Sequence, residues 1–289
     1  MKVLHHDDMD GKAAANCVYQ QFRNQLKLED FFEMSYTTKF PIKECKDEIV
    51  FVVDFSIQDS NYKQFEELYK NSKDLIYIDH HKTTIETINK YPWMRNIKGL
   101  VKENISGAAL TYMYLKYGKI VPLEKIPLYL RYIDDFDCWK LKLDGVMEFK
   151  YGVETHNYDP CSIFWDTFIE CTYKDIERII KEGTIVARYN KFQFKNLRDK
   201  YAYESKYDGK SVLIINADGF SQLFGEKLKE YDFCCLWNYT GKEYSYSIYS
   251  DQNKENPVDC SLIAKQYGGG GHPGASGFQT KELVEWCKK

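Results

Sequence analysis

Two short runs limit the fold more than any other feature. EIVFVVDFS (residues 48–56) and DLIYIDHHKT (residues 74–83) are apolar and largely β-branched, and each stops at acidic or imidazole residues: Asp54 in the first, Asp79, His80 and His81 in the second. Such runs read as buried strands. Helix-like stretches lie around them: GKAAANCVYQQFRNQL, NYKQFEELYKNS and SGAALTYMYLKYG, the last with Ser106 as its N-cap. Strands alternating with helices predict βαβ units and a mainly parallel sheet. Ligands of such sheets gather beyond the carboxyl ends of the strands. The chain opens MKVLHHDDMDG, so a third cluster of His5, His6, Asp7, Asp8 and Asp10 follows the apolar pair Val3-Leu4. All three clusters are expected on one rim.

The fold class expected is α/β: an N-terminal, mainly parallel sheet flanked by helices, plus a smaller C-terminal α/β domain. A length of 289 residues holds two modest domains. Residues 1–173 are assigned to the first domain, 174–207 to a polar linker helix and 208–289 to the second domain. The last has strands near 211–217, 232–238 and 243–250 and a helix near 259–267. A net charge of −3 excludes a generally polybasic nucleic-acid coat. No run of about 18 apolar residues and no secretory signal is visible, so no membrane partner is expected. The nine cysteines form no CxxC pair, which fits reduced thiols in a cytoplasm.

The motif His6-x-Asp8-x-Asp10-Gly11 mimics a calcium loop, but Cys17 stands where the bidentate glutamate is needed. Mixed imidazole and carboxylate ligands suit manganese or a similar metal instead. Taken alone, the stretch would be a solvated acidic turn. Two strand ends supplying both Asp and His, with Asp54 at a third, change that reading. So many converging carboxylates repel unless cations neutralise them, and two metals about 3.5–4 Å apart that share a carboxylate can engage them all. YIDDFDCW adds a fourth acidic motif; Asp135 is the preferred ligand, with Asp134 and Asp137 as rivals that sequence does not separate. GGGGHPGASG (268–277) lets backbone N–H groups approach an anion, and His272 can add a hydrogen bond or a charge. On the linker helix, Arg188, Lys191, Lys195 and Arg198 recur at helical spacing. Trp139 and Trp165 are aromatic candidates for base stacking, with core packing as the commoner outcome.

HDDMDG, VVDFS, DHH, YIDDFDCW and GGGGHPGASGF, in that order, resemble the DHH phosphoesterase superfamily with a C-terminal DHHA1 domain, over nearly the whole chain. The short opening spacing is similar to that of nanoRNase B-type members. The resemblance implies two manganese ions, with magnesium or cobalt as substitutes. His6, Asp8 and Asp54 would hold one ion, and Asp10, Asp54, His80 and Asp135 the other. His81 would contact the phosphate, Asp79 would orient a histidine, and Gly269, Gly270, Gly271 and His272 would bind the substrate's terminal phosphate or sugar across an interdomain cleft. Relatives often carry an arginine in the strand before the glycine loop, where this chain has Tyr249.

The expected activity is manganese-dependent hydrolysis of short oligonucleotides by an activated water, without a covalent intermediate. The catalytic residues are then His81, Asp54 and Asp79. A 3′,5′-bisphosphate nucleotide phosphatase, a cyclic-dinucleotide phosphodiesterase and a catalytically silent nucleotide sensor are the alternatives, and a homodimer is compatible with each.

Overall fold

Residues Lys2–His6 form strand β1, which in the computed structural model pairs in parallel with a neighbour on each side. The structure describes residues 1–36, 38–219 and 221–288, and the chain divides into the units Met1–Ala187 and Arg188–Lys289. In the first, β1 is followed by α1 (Met9–Gln21), β2 (Phe31–Met34), β3 (Ile49–Val53), α2 (Tyr62–Asn71), β4 (Asp74–Asp79) and α3 (Lys82–Lys90). Then come β5 (Lys98–Val101), α4 (Gly107–Tyr117), α5 (Leu128–Asp137) and α6 (Val146–Val153); the long α7 (Tyr173–Tyr201) starts in the first unit and ends in the second. The sheet order is β2-β1-β3-β4-β5, and every pair is parallel.

Both faces of this sheet are covered, which is why its strands are continuously apolar. Successive side chains point to opposite faces. Val3, Phe51, Val53, Ile76 and Ile78 join α1 and α4 residues in one core. Leu4, Val50, Val52, Leu75 and Tyr77 meet Phe65 and Leu68 of α2 in the other. Truncating a fully buried member such as Ile78 to Ala is expected to cost about 2–5 kcal/mol. Because the strands run the same way, β1, β3 and β4 all deliver their last residues to one edge.

The second unit continues through β6 (Ala202–Tyr207), β7 (Lys210–Asn216), β8 (Phe233–Tyr239), β9 (Tyr244–Tyr249), α8 (Cys260–Gln266), β10 (Gly270–His272) and β11 (Ala275–Thr280). Its sheet order is β10-β11-β9-β8-β7-β6, with β7 and β8 parallel and the other pairs antiparallel. Helix α8 packs Cys260, Ile263 and Ala264 against Val212, Cys235 and Tyr246 of this sheet. A parallel α/β domain with a smaller α/β partner is the expected fold class.

The linker helix needs correcting. It ends at Tyr201, and residues 202–207 form an edge strand instead. Asp208 and Gly209 have φ of 47° and 76°. Two left-handed residues make the turn that joins adjacent antiparallel strands, so the Asp-Gly pair requires a strand before it as well as after. Among the described residues, no helix is long and apolar enough to cross a membrane.

Candidate metal centre

The carboxyl rim of the first sheet gathers His6 from β1, Asp8 and Asp10 from the start of α1, Asp54 after β3, and Asp79, His80 and His81 at the end of β4. Asp54 has a φ of 52°, a conformation that costs a non-glycine residue about 1–3 kcal/mol and persists where its surroundings impose it. Its N–H still donates to the Ile78 carbonyl at 2.9 Å, so strand pairing continues through the strained residue.

His80 is the hub. Its Nε2 lies 3.2 Å from Asp54 Oδ1, 3.3 Å from Asp137 Oδ2 and 3.9 Å from Asp10 Oδ2. Three overlapping sets of ligand atoms each lie within 4.8 Å of one another: His6, Asp8 and Asp54; Asp54, His80 and His81; His80, Asp137 and Cys138. Asp10 is fixed from behind by the N-terminus of α4, accepting the N–H of Gly107 at 2.6 Å and of Ala108 at 3.0 Å. Asp8 caps α1 through the N–H of Gly11 at 2.9 Å and meets His6 Nδ1 at 2.7 Å. Gly107 cannot be another residue: an added Cβ would stand 2.5 Å from Asp54 Cβ and 2.6 Å from Asp54 Oδ1.

Asp79 orients His81 rather than His80. Its Oδ1 meets His81 Nδ1 at 2.7 Å, while its Oδ2 accepts from the Tyr77 hydroxyl at 3.2 Å and from Thr84 Oγ1. Burial disfavours charge on Asp79, but His81 and these hydrogen bonds outweigh it and hold the carboxyl below its usual range. His5, behind the rim, turns Nδ1 to the His6 carbonyl at 2.7 Å, and burial lowers its pKa.

The charges are unbalanced. Burial, then the fields of Asp10, Asp8, Asp137 and Asp79, drive the pKa of Asp54 far up. Asp137 is raised in the same way, by burial and then by Asp10 and Asp8. Burial opposes charge on His6 too, yet Asp8, Asp7 and Asp137 keep its pKa at about 9. Asp54 Oδ1 and Asp137 Oδ2 are buried without a hydrogen-bond partner. Leaving such atoms unmatched costs about 1–3 kcal/mol each, and more for charged groups. Two orphaned carboxylate oxygens facing one imidazole nitrogen, with further carboxylates nearby, are a donor set that fits divalent cations.

The fourth motif needs correcting. Asp135, the preferred ligand, is absent from these sets: its Oδ2 accepts the N–H groups of Lys142 at 2.8 Å and Leu143 at 2.9 Å. Asp134 accepts from the Ser106 N–H at 2.9 Å and pairs with Lys140. Asp137 is the member that reaches His80. At about 100° per helical residue, positions 135 and 137 face nearly opposite ways, so both cannot serve the centre.

The glycine loop also differs from the expected cradle. Residues 270–272 are strand β10, which pairs with β11 in a hairpin through Pro273 and Gly274. The N–H of Gly269 is used by α8, donating to the Ala264 carbonyl at 2.9 Å, and an added Cβ there would meet the Gly277 carbonyl at 2.1 Å. Its glycine is therefore explained by packing. Gly270 is half-buried, and Gly271 and His272 are exposed. In the basic stripe, Arg198 donates to the carbonyls of Leu223 and Phe224, and Lys195 pairs with Asp199. Trp165 is core, whereas Trp139 is exposed.

Sequence reasoning missed two neighbours of the centre. Gly107 had a signal, since the small residues after Ser106 permit close helix approach. Tyr36 had none. Its ring stacks on Phe55 at 5.3 Å and lies 6.0 Å from the His6 ring.

Fold and rim together define an α/β protein that collects carboxylates and imidazoles at the carboxyl edge of a parallel sheet. Residues 1–132 match the DHH family, N-terminal domain, so that part of the chain carries a DHH-family domain. It is 30% identical over 296 residues to an uncharacterized protein of Acanthamoeba polyphaga mimivirus, spanning 96% of this chain and 66% of that protein. It is 21% identical over 320 residues to the oligoribonuclease NrnB of Bacillus subtilis, spanning 98% of this chain and 74% of NrnB. In fold it resembles the pGpG-specific phosphodiesterase PggH from Vibrio cholerae, with a TM-score of 0.51 at 12% identity over 97% of this chain and 93% of the other.

Proposed function

We propose that this protein is a manganese-dependent phosphodiesterase that hydrolyses short oligonucleotides. The observation that carries the reading is the pair of buried oxygens without a hydrogen bond, Asp54 Oδ1 and Asp137 Oδ2, which lie 3.2 Å and 3.3 Å from His80 Nε2. The oligoribonuclease name of the Bacillus relative supports the substrate class.

His6, Asp8 and Asp54 would hold one divalent cation, and Asp10, Asp54, His80 and Asp137 a second. Two such cations, when bound, supply Lewis-acid chemistry that acidifies water and neutralises charge on phosphate. The remaining work falls to the chain. Helix α4 holds Asp10 in place through two amides, so this carboxylate needs no reorganisation. Asp79, ionised and buried, accepts the Nδ1–H of His81 and thereby fixes the orientation of its ring. Gly270, Gly271 and His272 are the members of the glycine loop suited to the substrate's terminal phosphate, since Gly269 is committed to α8.

A substrate panel tests the reading: two- to five-mer RNA and DNA, a nucleoside 3′,5′-bisphosphate, cyclic dinucleotides and pyrophosphate, each with manganese. Preferred cleavage of the short linear oligomers is expected. Turnover confined to the bisphosphate or to pyrophosphate would contradict it.

A further inference from the structure

Trp139 occupies a position that helices reserve for glycine. Helix α5 ends with Cys138 as its C-cap, and Trp139 follows in the left-handed conformation, with a φ of 53°. Its N–H donates to the Phe136 carbonyl and the N–H of Lys140 to the Asp135 carbonyl, both at 2.9 Å. This paired closure favours glycine at the left-handed residue, because any Cβ there is strained. Leu141, two residues on, is also left-handed at 51°. The segment is pinned in that shape: Asp135 binds the N–H groups of Lys142 and Leu143, and Asp134 holds Lys140.

What the strain achieves is the display of an indole. Trp139 is 52% exposed and meets the Phe136 ring edge-on, with ring centres 5.9 Å apart. It stands two residues after Asp137 and next to Cys138, whose atoms share a set with His80. Strain of this kind persists at ligand-holding sites, and a base stacked on an exposed ring is worth about 1–3 kcal/mol.

We propose that Trp139 is a base-stacking subsite for the nucleotide joined to the scissile phosphate. The substrate is then recognised by a nucleobase as well as by phosphate, at the Asp137 end of the centre. The inference rests on the proposed phosphodiesterase reading. Asp135 acts as a positioning residue that holds the strained turn.

The test compares the dinucleotide pApA with analogues lacking one base or the other, using wild type, Trp139→Gly and Trp139→Phe with manganese. Glycine suits the left-handed position, so Trp139→Gly should melt no lower than wild type. It should raise KM for pApA about tenfold, leave kcat within twofold, and no longer respond to removal of the stacked base. Trp139→Phe should retain most of the base preference. A Trp139→Gly enzyme with the wild-type penalty for losing a base overturns the subsite, as does a wild type that cleaves pApA but is indifferent to both bases. Failure of the phosphodiesterase reading looks different: wild type then cleaves no dinucleotide. In that case loss of pApA-induced fluorescence quenching in Trp139→Phe still supports the subsite, and undiminished quenching overturns it.

Discussion

Gly107 lets Asp54 exist where it does. A Cβ at position 107 would sit 2.6 Å from Asp54 Oδ1, closer than any side chain tolerates. The first prediction follows from this contact. Gly107→Ala should displace Asp54 by about an ångström and lower kcat/KM by about a hundredfold, with a smaller cost in stability of about 1–3 kcal/mol. Steady-state kinetics with a urea melt checks both; activity within threefold of wild type would show that Asp54 is not critically placed.

Asp135 and Asp137 should separate cleanly. Asp137→Asn removes a proposed ligand and should weaken manganese binding and turnover by about a hundredfold or more. Asp135→Asn removes an acceptor of two backbone N–H groups and should cost about 1–3 kcal/mol of stability, with manganese affinity nearly intact. Titration calorimetry with manganese, run on both variants, gives the answer. The reverse order would restore Asp135 as the ligand.

The same cluster sets a pH dependence for the metal-free protein. His6 has a folded pKa of about 9, above its unfolded value, so its contribution is complete below about pH 6.5 and is lost as pH rises through 9. Asp10, Asp54 and Asp137 are raised as well, so the folded state holds more protons than the unfolded one, and stability again falls as pH rises. Asp8 and Asp79 are depressed; they stabilise above the ordinary carboxylate range and lose this only in strong acid. Chelator-treated protein should therefore melt higher at pH 6 than at pH 9, and manganese should shrink the difference. A higher melting temperature at pH 9 without metal would contradict these charge assignments.

Much of this was legible in the sequence, for physical reasons. Strands buried on both faces have to be apolar throughout, so IVFVV and LIYI announce a parallel sheet and place Asp54 and Asp79–His81 at one edge. The choice among Asp134, Asp135 and Asp137 was not legible, because it depends on the rotation of α5 and on which carboxylate meets Ser106, Lys142 or His80. The glycine loop misled for a related reason. Close approach to a ligand and close approach of one strand to another both demand glycine, and at Gly269 the second applies. Tyr36 and Gly107 reach the centre only through tertiary contacts.

The most direct test of the central claim is cleavage of a 5′-phosphorylated diribonucleotide by wild type and by Asp54→Ala, with manganese and with chelator. Asp54 belongs to two of the three ligand sets, and losing several kcal/mol of transition-state stabilisation corresponds to about a thousandfold in rate. Wild type should cleave with manganese and stop with chelator, and Asp54→Ala should fall at least that far while remaining folded. A folded Asp54→Ala protein that cleaves within a few-fold of wild type would contradict the account.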